Sequence, residues 1–267
     1  MPLYLNTNVS SLESQRNVSS IQGSLGVTFQ RLSSGLRINS AADDASGLAI
    51  SEQMKADIRS YSVAERNTMN GISMAQTAEG AMGQVHQILQ RMRELTVQAA
   101  NGDLTTNDRG YIDVEYQQLK EEITRIVDST KFNGVDMLAG PATTIDFQVG
   151  IDNTASDRLP VGFGNVSLAA LGLTASNVTG ATAVNAQTAI GEVDAATSAV
   201  LNRMQVTVTN LQSMRTNLSA AHSRIRDVDV AHESAQLAQK QVLTQAATAI
   251  LGQANQAPQL ALQLLKG

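Results

Sequence analysis

Apolar residues return every three or four positions along most of the chain, the spacing of one face of an α-helix. In the first segment Val18, Ile21, Leu25, Leu32 and Leu36 keep that step, with Thr28 filling the gap. The small residues from Ser40 to Ala45 interrupt it. The pair Asp43-Asp44 there suits a helix N-terminus, where carboxylates meet unsatisfied N–H groups. A long helix is predicted from that point to about Ala100. Its stripe is Ile72, Ala75, Ala78, Met82, Val85, Leu89, Met92, Leu95 and Ala99, and Asn101-Gly102 ends it. A shorter helix carries Ile112, Tyr116, Leu119, Ile123 and Ile126 on one face and stops at Asn133-Gly134.

The period then changes to two. Ile145, Phe147 and Val149 alternate with polar residues, as do Leu159, Val161 and Phe163, with Gly and Asp-Asn punctuation between the two runs. This reads as a small β-hairpin. The Ala/Thr/Asn/Gly-rich region 174–188 reads as a loop. Beyond it Ile190, Val193, Thr197, Val200, Met204, Thr207, Leu211, Met214, Leu218, Ala221, Ile225 and Val228 sustain a seven-residue repeat, which predicts a coiled-coil-type helix. The stripe next slips, and Leu243, Ala247, Ile250, Ala254, Ala257, Ala261 and Leu264 take over. Prolines occur only at Pro2, Pro141, Pro160 and Pro258, so nothing breaks a helix between Leu3 and Gly140. About forty helical residues span roughly 60 Å, and the pattern predicts a rod.

Charge modifies this picture. Charged residues concentrate in about 31–131 and 203–233. From Met1 to Gln30 they are only Glu13 and Arg16, and from Ser234 to Leu265 only Lys240. An ordinary surface helix keeps a charged face toward water. Two ends that have lost theirs are expected to be buried against further copies of the chain. A private intramolecular seam is the competing reading, but it does not require both outer faces to be neutral.

The totals exclude several classes. A length of 267 residues allows one or two domains with a real core. The net charge of −5 draws the chain to no nucleic acid, and 3% aromatics without Trp leave few rings for stacking on bases or sugars. No Cys is present, which excludes disulfides and Cys-ligated metals. The start Met1-Pro2-Leu3-Tyr4-Leu5-Asn6 lacks a basic and then apolar leader, so the expectation is a cytoplasmic protein or export by a route that reads no such signal. No run is apolar enough to span a bilayer. His86, His222 and His232 have no metal spacing, and Asp103, Asn107 and Asp108 lack the Gly and closing Glu of a calcium loop. Ser33-Ser34-Gly35 is small-residue packing or a bend. Phosphate-cradling, dinucleotide and nucleophile-elbow motifs are absent. The expectation is no enzyme, no cofactor and no metal. Asp43-Asp44, with Arg31 and Arg37 nearby, is read as a solvated cap, with an intersubunit salt bridge as the rival.

Several long segments resemble the bacterial flagellins. They are Arg31 to Ile50 (RLSSGLRINSAADDASGLAI), Leu89 to Asn101 (LQRMRELTVQAAN), Thr130 to Gly134 (TKFNG), Leu218 to Ala231 (LSAAHSRIRDVDVA) and Ala254 to Pro258 (ANQAP). They stand in the family's order and span essentially the whole chain. The tail departs slightly: Lys266-Gly267 follow Leu264-Leu265, where members commonly stop. The resemblance implies a mainly α fold, a long antiparallel coiled-coil and helical-bundle rod with a small β-hairpin region. Its domains would be discontinuous: 1–42 with 226–267 as a terminal coiled-coil assembly domain, and 43–225 as a helical bundle with the hairpin at about 135–175. Larger members carry outer domains where this chain has only the loop near 174–188.

The implied function is a structural subunit that self-polymerises into the flagellar filament for swimming. It would leave the cell unfolded through the flagellar type III route and reside outside it. Implied partners are further copies of the chain, an export chaperone, a cap protein and hook-junction proteins, with no membrane insertion. The assembly residues would be Leu5, Val9, Leu12, Val18, Ile21, Leu25, Arg31, Leu32, Leu36, Leu243, Ala247, Ile250, Ala254, Leu260 and Leu264. Arg91, Leu95 and Glu115 match positions where some flagellins meet Toll-like receptor 5 of a vertebrate host; Arg91 and Leu95 share a helix face by their spacing. Ser and Thr in 143–188 are read as bare hydroxyls, with glycan attachment as the rival. The competing functions are a hook–filament junction protein, another bacterial coiled-coil structural or signalling protein, and a membrane-active helical protein. The last is disfavoured because interfacial helices carry a Lys/Arg-rich face.

Overall fold

A computed structural model describes residues 8–139, 144–179 and 182–266. The side chains of 182–185 and 257–266 lie outside the described set, so the expected assembly residues Leu5, Leu260 and Leu264 cannot be placed. Among the described residues five α-helices dominate: α1 (Val9–Ser34), α2 (Ala45–Ala99), α3 (Thr106–Ser129), α4 (Thr182–Arg226) and α5 (Val230–Lys266). Between α3 and α4 come two antiparallel two-stranded hairpins, β1 (Lys131–Phe132) with β2 (Val135–Asp136), and β3 (Thr144–Gln148) with β4 (Arg158–Gly162). The structure is mainly α with a hairpin region, as the spacing predicts.

The helix ends follow from local chemistry. The Asn8 side chain accepts from the Ser11 N–H to open α1, and Gly35 closes it in the left-handed region at φ 71° while donating to the Arg31 carbonyl. The Ser-Ser-Gly run is therefore a helix stop. Thr105 and Asp108 form a reciprocal capping box at α3. The Arg109 guanidinium covers the exposed carbonyl end of α2, donating to Ala99 O and Asn101 O at 3.1 Å each.

Three features depart from the sequence reading. Asn133-Gly134 ends no helix; it is the two-residue turn of the β1–β2 hairpin, with φ values of 48° and 80°. Positive φ at both central residues matches the twist of a tight hairpin. Helix α4 begins at Thr182, inside the region read as loop, because fully buried Ala186 extends the Ile190 stripe back by one turn. The repeat that reaches Val228 is also cut: Asp229 caps a new helix, its carboxylate accepting from Ala231 and His232 N–H.

The chain divides into two compact units, one of the described residues up to Ala56 and from Leu218 onward, the other of Asp57–Asn217. In the second unit the apolar stripes of α2, α3 and α4 converge. Val85, Leu89, Met92, Tyr116, Ile123 and Met204 are excluded from solvent. The β3–β4 hairpin adds Leu159, Val161 and Phe163, in a register that sets Ile145 opposite Val161 and Phe147 opposite Leu159. The segment 174–178 is tied to α3. The buried Lys120 ammonium donates to Thr174 O and Ser176 O, the Tyr116 hydroxyl to Ser176 Oγ, and Val178 N–H to Asp113 Oδ1.

Candidate assembly surface

In the terminal unit α1 and α5 run antiparallel. At one end Val228 N–H donates to Gly35 O, and Arg37 donates its backbone N–H to Arg226 O and its guanidinium to Ile225 O. At the other end Asn8 Nδ2 donates to Ala254 O at 2.8 Å and Ser11 Oγ to Asn255 Oδ1 at 2.6 Å. Between them Lys240 of α5 reaches Thr28 and Ser24 of α1.

Two helices cover only one stripe of each other. In α1 only Val18 and Thr28 are buried; Ile21, Leu25, Leu32 and Leu36 are half-buried beside them. Ala247 and Ala254 are half-buried on α5. Leu237 and Leu251 are half-buried too, whereas Val9, Leu12, Val27 and Phe29 on α1, and Val230, Val242, Leu243 and Ile250 on α5 face outward, with Ile250 58% exposed. The stripe read from the sequence as one face of α5 is thus split among its described residues, Ala247 and Ala254 inward and the larger Leu243 and Ile250 outward. Phe29, Val27 and Val242 were missed because they fall off the dominant seven-residue stripe. Exposed large apolar side chains on helices with so few charges make these faces candidate interaction surfaces.

The junction after α1 is fixed within the chain. Asp43 Oδ2 accepts from Asn39 N–H, Ser40 N–H and the Ser40 hydroxyl, and Arg31 lies 3.6 Å from Asp43. Asp44 Oδ1 accepts from Gly47 N–H and the Ser46 hydroxyl at the start of α2. Each carboxyl is held below the usual aspartate range, Asp43 chiefly by the Ser40 bonds and Asp44 by Gly47 N–H. Glu52 is likewise lowered by its bond with Arg226. These acids are caps and intrachain partners.

Arg91 and Glu115 are brought together across α2 and α3. Arg91 Nε donates to Glu115 Oε1 at 2.9 Å and Nη1 to Glu94 Oε2 at 3.0 Å, which raises the Arg91 pKa further. Leu95 does not join them at the surface. It is 1% exposed, inside the core stripe with Met92 and Ala99. The edge of the core passes between neighbouring turns of α2, so four-residue spacing does not give Arg91 and Leu95 a common solvent face. Among the described residues no group of His, Asp and Glu is placed to hold a metal, and no helix is long and apolar enough to cross a membrane.

Comparison with known proteins decides what kind of surface this is. The family model described as the bacterial flagellin N-terminal helical region matches residues 5–143, and the one described as the bacterial flagellin C-terminal helical region matches 181–265. The chain belongs to the bacterial flagellin family. A flagellin of Halalkalibacterium halodurans is 43% identical over 99% of this chain and 100% of that protein. A flagellar filament core protein of Brachyspira hyodysenteriae is 40% identical over 99% and 100%. Bacillus subtilis flagellin is 38% identical over the same shares. As a flagellin, the chain is a structural subunit of the flagellar filament, a role that implies self-polymerisation.

Proposed function

We propose that the outer faces of α1 and α5 are the surfaces through which this flagellin polymerises. The observation that carries this reading is the run of exposed Val9, Leu12, Val27, Phe29, Val242, Leu243 and Ile250 on two nearly uncharged helices. Burying each such side chain against a neighbour contributes about 1.5–3 kcal/mol. Ile21, Leu25, Ala247 and Ala254 support the pair from within. Export unfolded by the flagellar type III route to an extracellular filament, with an export chaperone, cap protein and hook-junction proteins as partners, belongs to the same reading. Deleting Gln245 to Gly267 tests the assembly claim. The truncated chain is expected to keep the thermal transition of the 57–217 unit and to form no filaments, even when seeded; filaments from it would overturn the reading.

A second reading concerns a host. The exposed Arg91–Glu115 pair supports a contact with Toll-like receptor 5, with Glu94 bonded to the same guanidinium. Buried Leu95 serves this face only by anchoring α2 from beneath. Arg91→Ala is expected to reduce receptor signalling at unchanged helicity, and undiminished signalling removes Arg91 from the contact.

A further inference from the structure

Asparagine followed by glycine occurs three times, at Asn70-Gly71, Asn101-Gly102 and Asn133-Gly134. The pair is chemically labile in water. Glycine carries no Cβ to shield its nitrogen, and that nitrogen can attack the side-chain carbonyl of the preceding asparagine. The structure treats the three pairs differently. Asn70-Gly71 lies inside α2, where the helical ladder engages the Gly71 N–H, and Gly71 is buried so closely that a Cβ on it would meet Met204 Cε at 2.5 Å. Asn133-Gly134 is held between paired strands: Phe132 faces Val135, and Lys131 Nζ lies 2.9 Å from Asp136 Oδ1. Asn101-Gly102, just past the end of α2, has neither restraint. Both residues are exposed, and neither the Asn101 side-chain amide nor the Gly102 N–H has a hydrogen-bond partner among the described residues.

The Asn101 main-chain carbonyl, by contrast, is engaged. Arg109 Nη2 donates to it at 3.1 Å, while Arg109 Nε donates to Ala99 O. A peptide nitrogen becomes a nucleophile only when it loses its proton. The charge left behind spreads onto the oxygen of the same peptide unit, and for Gly102 N that oxygen is Asn101 O. A guanidinium bonded there stabilises the charge as it develops.

We infer that Asn101 is a self-modification site, converted by water to aspartyl and isoaspartyl residues, with Arg109 promoting the first step. Hydroxide removes the Gly102 amide proton. The nitrogen attacks Asn101 Cγ, the N–Cγ bond forms, the Cγ–Nδ2 bond breaks, and the leaving nitrogen takes a proton from solvent and departs as ammonia. A water molecule then opens the cyclic imide. Cleavage at Cγ restores the ordinary backbone and leaves aspartate. Cleavage at the main-chain carbonyl routes the backbone through the former side chain and leaves isoaspartate. Either product gains a negative charge. The second also adds a methylene to the backbone where Arg109 covers the carbonyl end of α2, so that end is expected to loosen.

The test incubates the full-length chain in mildly alkaline buffer made with heavy-oxygen water, then digests it with trypsin in ordinary water. Asn70, Asn101 and Asn133 fall on separate tryptic peptides, so uptake of labelled oxygen reads each site by mass. Enzymatic methylation counts the isoaspartate. The Asn101 peptide is expected to take up label several-fold faster than the Asn133 peptide, and the Asn70 peptide only after unfolding. Label appearing at Asn133 or Asn70 as fast as at Asn101 overturns the site. A Cβ at Gly102 meets nothing within 4 Å, so Gly102→Ala keeps the fold and is expected to slow Asn101 conversion several-fold; an unchanged rate overturns attack by this nitrogen. Arg109→Leu separates activation from anchoring. It is expected to slow conversion although amide exchange in 99–105 quickens. Conversion that quickens with the exchange would reduce Arg109 to an anchor and overturn its part in the reaction.

Discussion

The two units use the same seven-residue repeats to opposite ends. Between Asp57 and Asn217 the stripes of α2, α3 and α4 meet one another and a hairpin, and Val85, Leu89, Met92 and Tyr116 lose all contact with water. In the terminal unit α1 finds one partner helix, and only Val18 and Thr28 are covered. A helix pair buries one stripe per helix, so any apolar residue outside that stripe stays in solvent until another molecule arrives. What separates a self-sufficient region from an assembly region here is the number of partners each helix has within the chain. Its hydrophobicity alone does not make the distinction.

The comparison breaks most sharply on paired substitutions of similar size. Leu89→Ala opens a cavity in a closed core and is expected to cost about 2–5 kcal/mol in urea denaturation. Ile250→Ala, on an exposed face, is expected to change the stability of the isolated chain by at most about 0.5 kcal/mol. Its effect should surface in polymerisation, as a critical concentration raised roughly tenfold, equivalent to about 1.4 kcal/mol. If Ile250→Ala destabilises the monomer as much as Leu89→Ala does, the terminal unit has a closed core after all.

Next in size is the polar tie between α2 and α4. Glu65 is 8% exposed and accepts from Gln212 Nε2 at 2.8 Å and Arg215 Nη1 at 2.6 Å. Arg215→Ala leaves this carboxylate with half its partners and is expected to cost about 1–3 kcal/mol, read as a lower denaturation midpoint. Arg215→Ala together with Glu65→Met, which removes the stranded charge, should recover most of the loss. Failure to recover would show that the tie contributes more than satisfaction of a buried charge.

How much of this was legible in the sequence depended on the kind of signal. Val18 to Leu32, Ile72 to Ala99 and Ile190 to Ile225 declared their helices because burial on one side enforces a regular period. Motif segments such as Arg31 to Ile50 declared the family. The division of apolar residues between the α1–α5 seam and its outer face was not legible. Leu243 and Ala247 obey one spacing, and only the partner helix decides which of them turns inward. Leu95 failed as a surface residue for the same reason. Asn133-Gly134 was read as a helix stop, because helix stops and tight hairpins share those residues. The Asp229 cap inside the apparently unbroken repeat was not read from the sequence; its carboxylate prevailed over the stripe.

Acid should act on the two units unequally. Asp43, Asp44 and Glu52 have pKa values below their ordinary range through hydrogen bonds at the start of α2. Their stabilisation is therefore complete above the usual carboxylate range, about pH 4, and is lost as pH falls through the lowered values. Asp108 and Glu122 in the other unit are lowered too, but there a large apolar core remains after protonation. Amide exchange in 36–52 and 222–230 is expected to accelerate before that of α3 as pH drops below about 4. Asp43→Asn combined with Asp44→Asn should flatten the pH dependence of the first region. Simultaneous opening of both units would remove the asymmetry.

The smallest expected effect lies at the Arg91–Glu115 pair, and its smallness sharpens the comparison. Both side chains are about half exposed, 49% and 46%, so water screens their attraction and the Debye length at physiological salt is only about 8 Å. Exposed pairs of this kind contribute little to folding. Arg91→Ala is expected to leave the thermal midpoint unresolved from that of the parent chain in physiological salt, with any difference confined to low ionic strength. Arg215→Ala, whose partner carboxylate is buried, should show a clear shift under the same conditions. The same residue type would then be structural where its acid is enclosed and free for external contacts where its acid is exposed. An equal, salt-insensitive loss at both positions would mean that α2 and α3 depend on their surface pairs as much as on Leu89, Met92 and Ile123 beneath them.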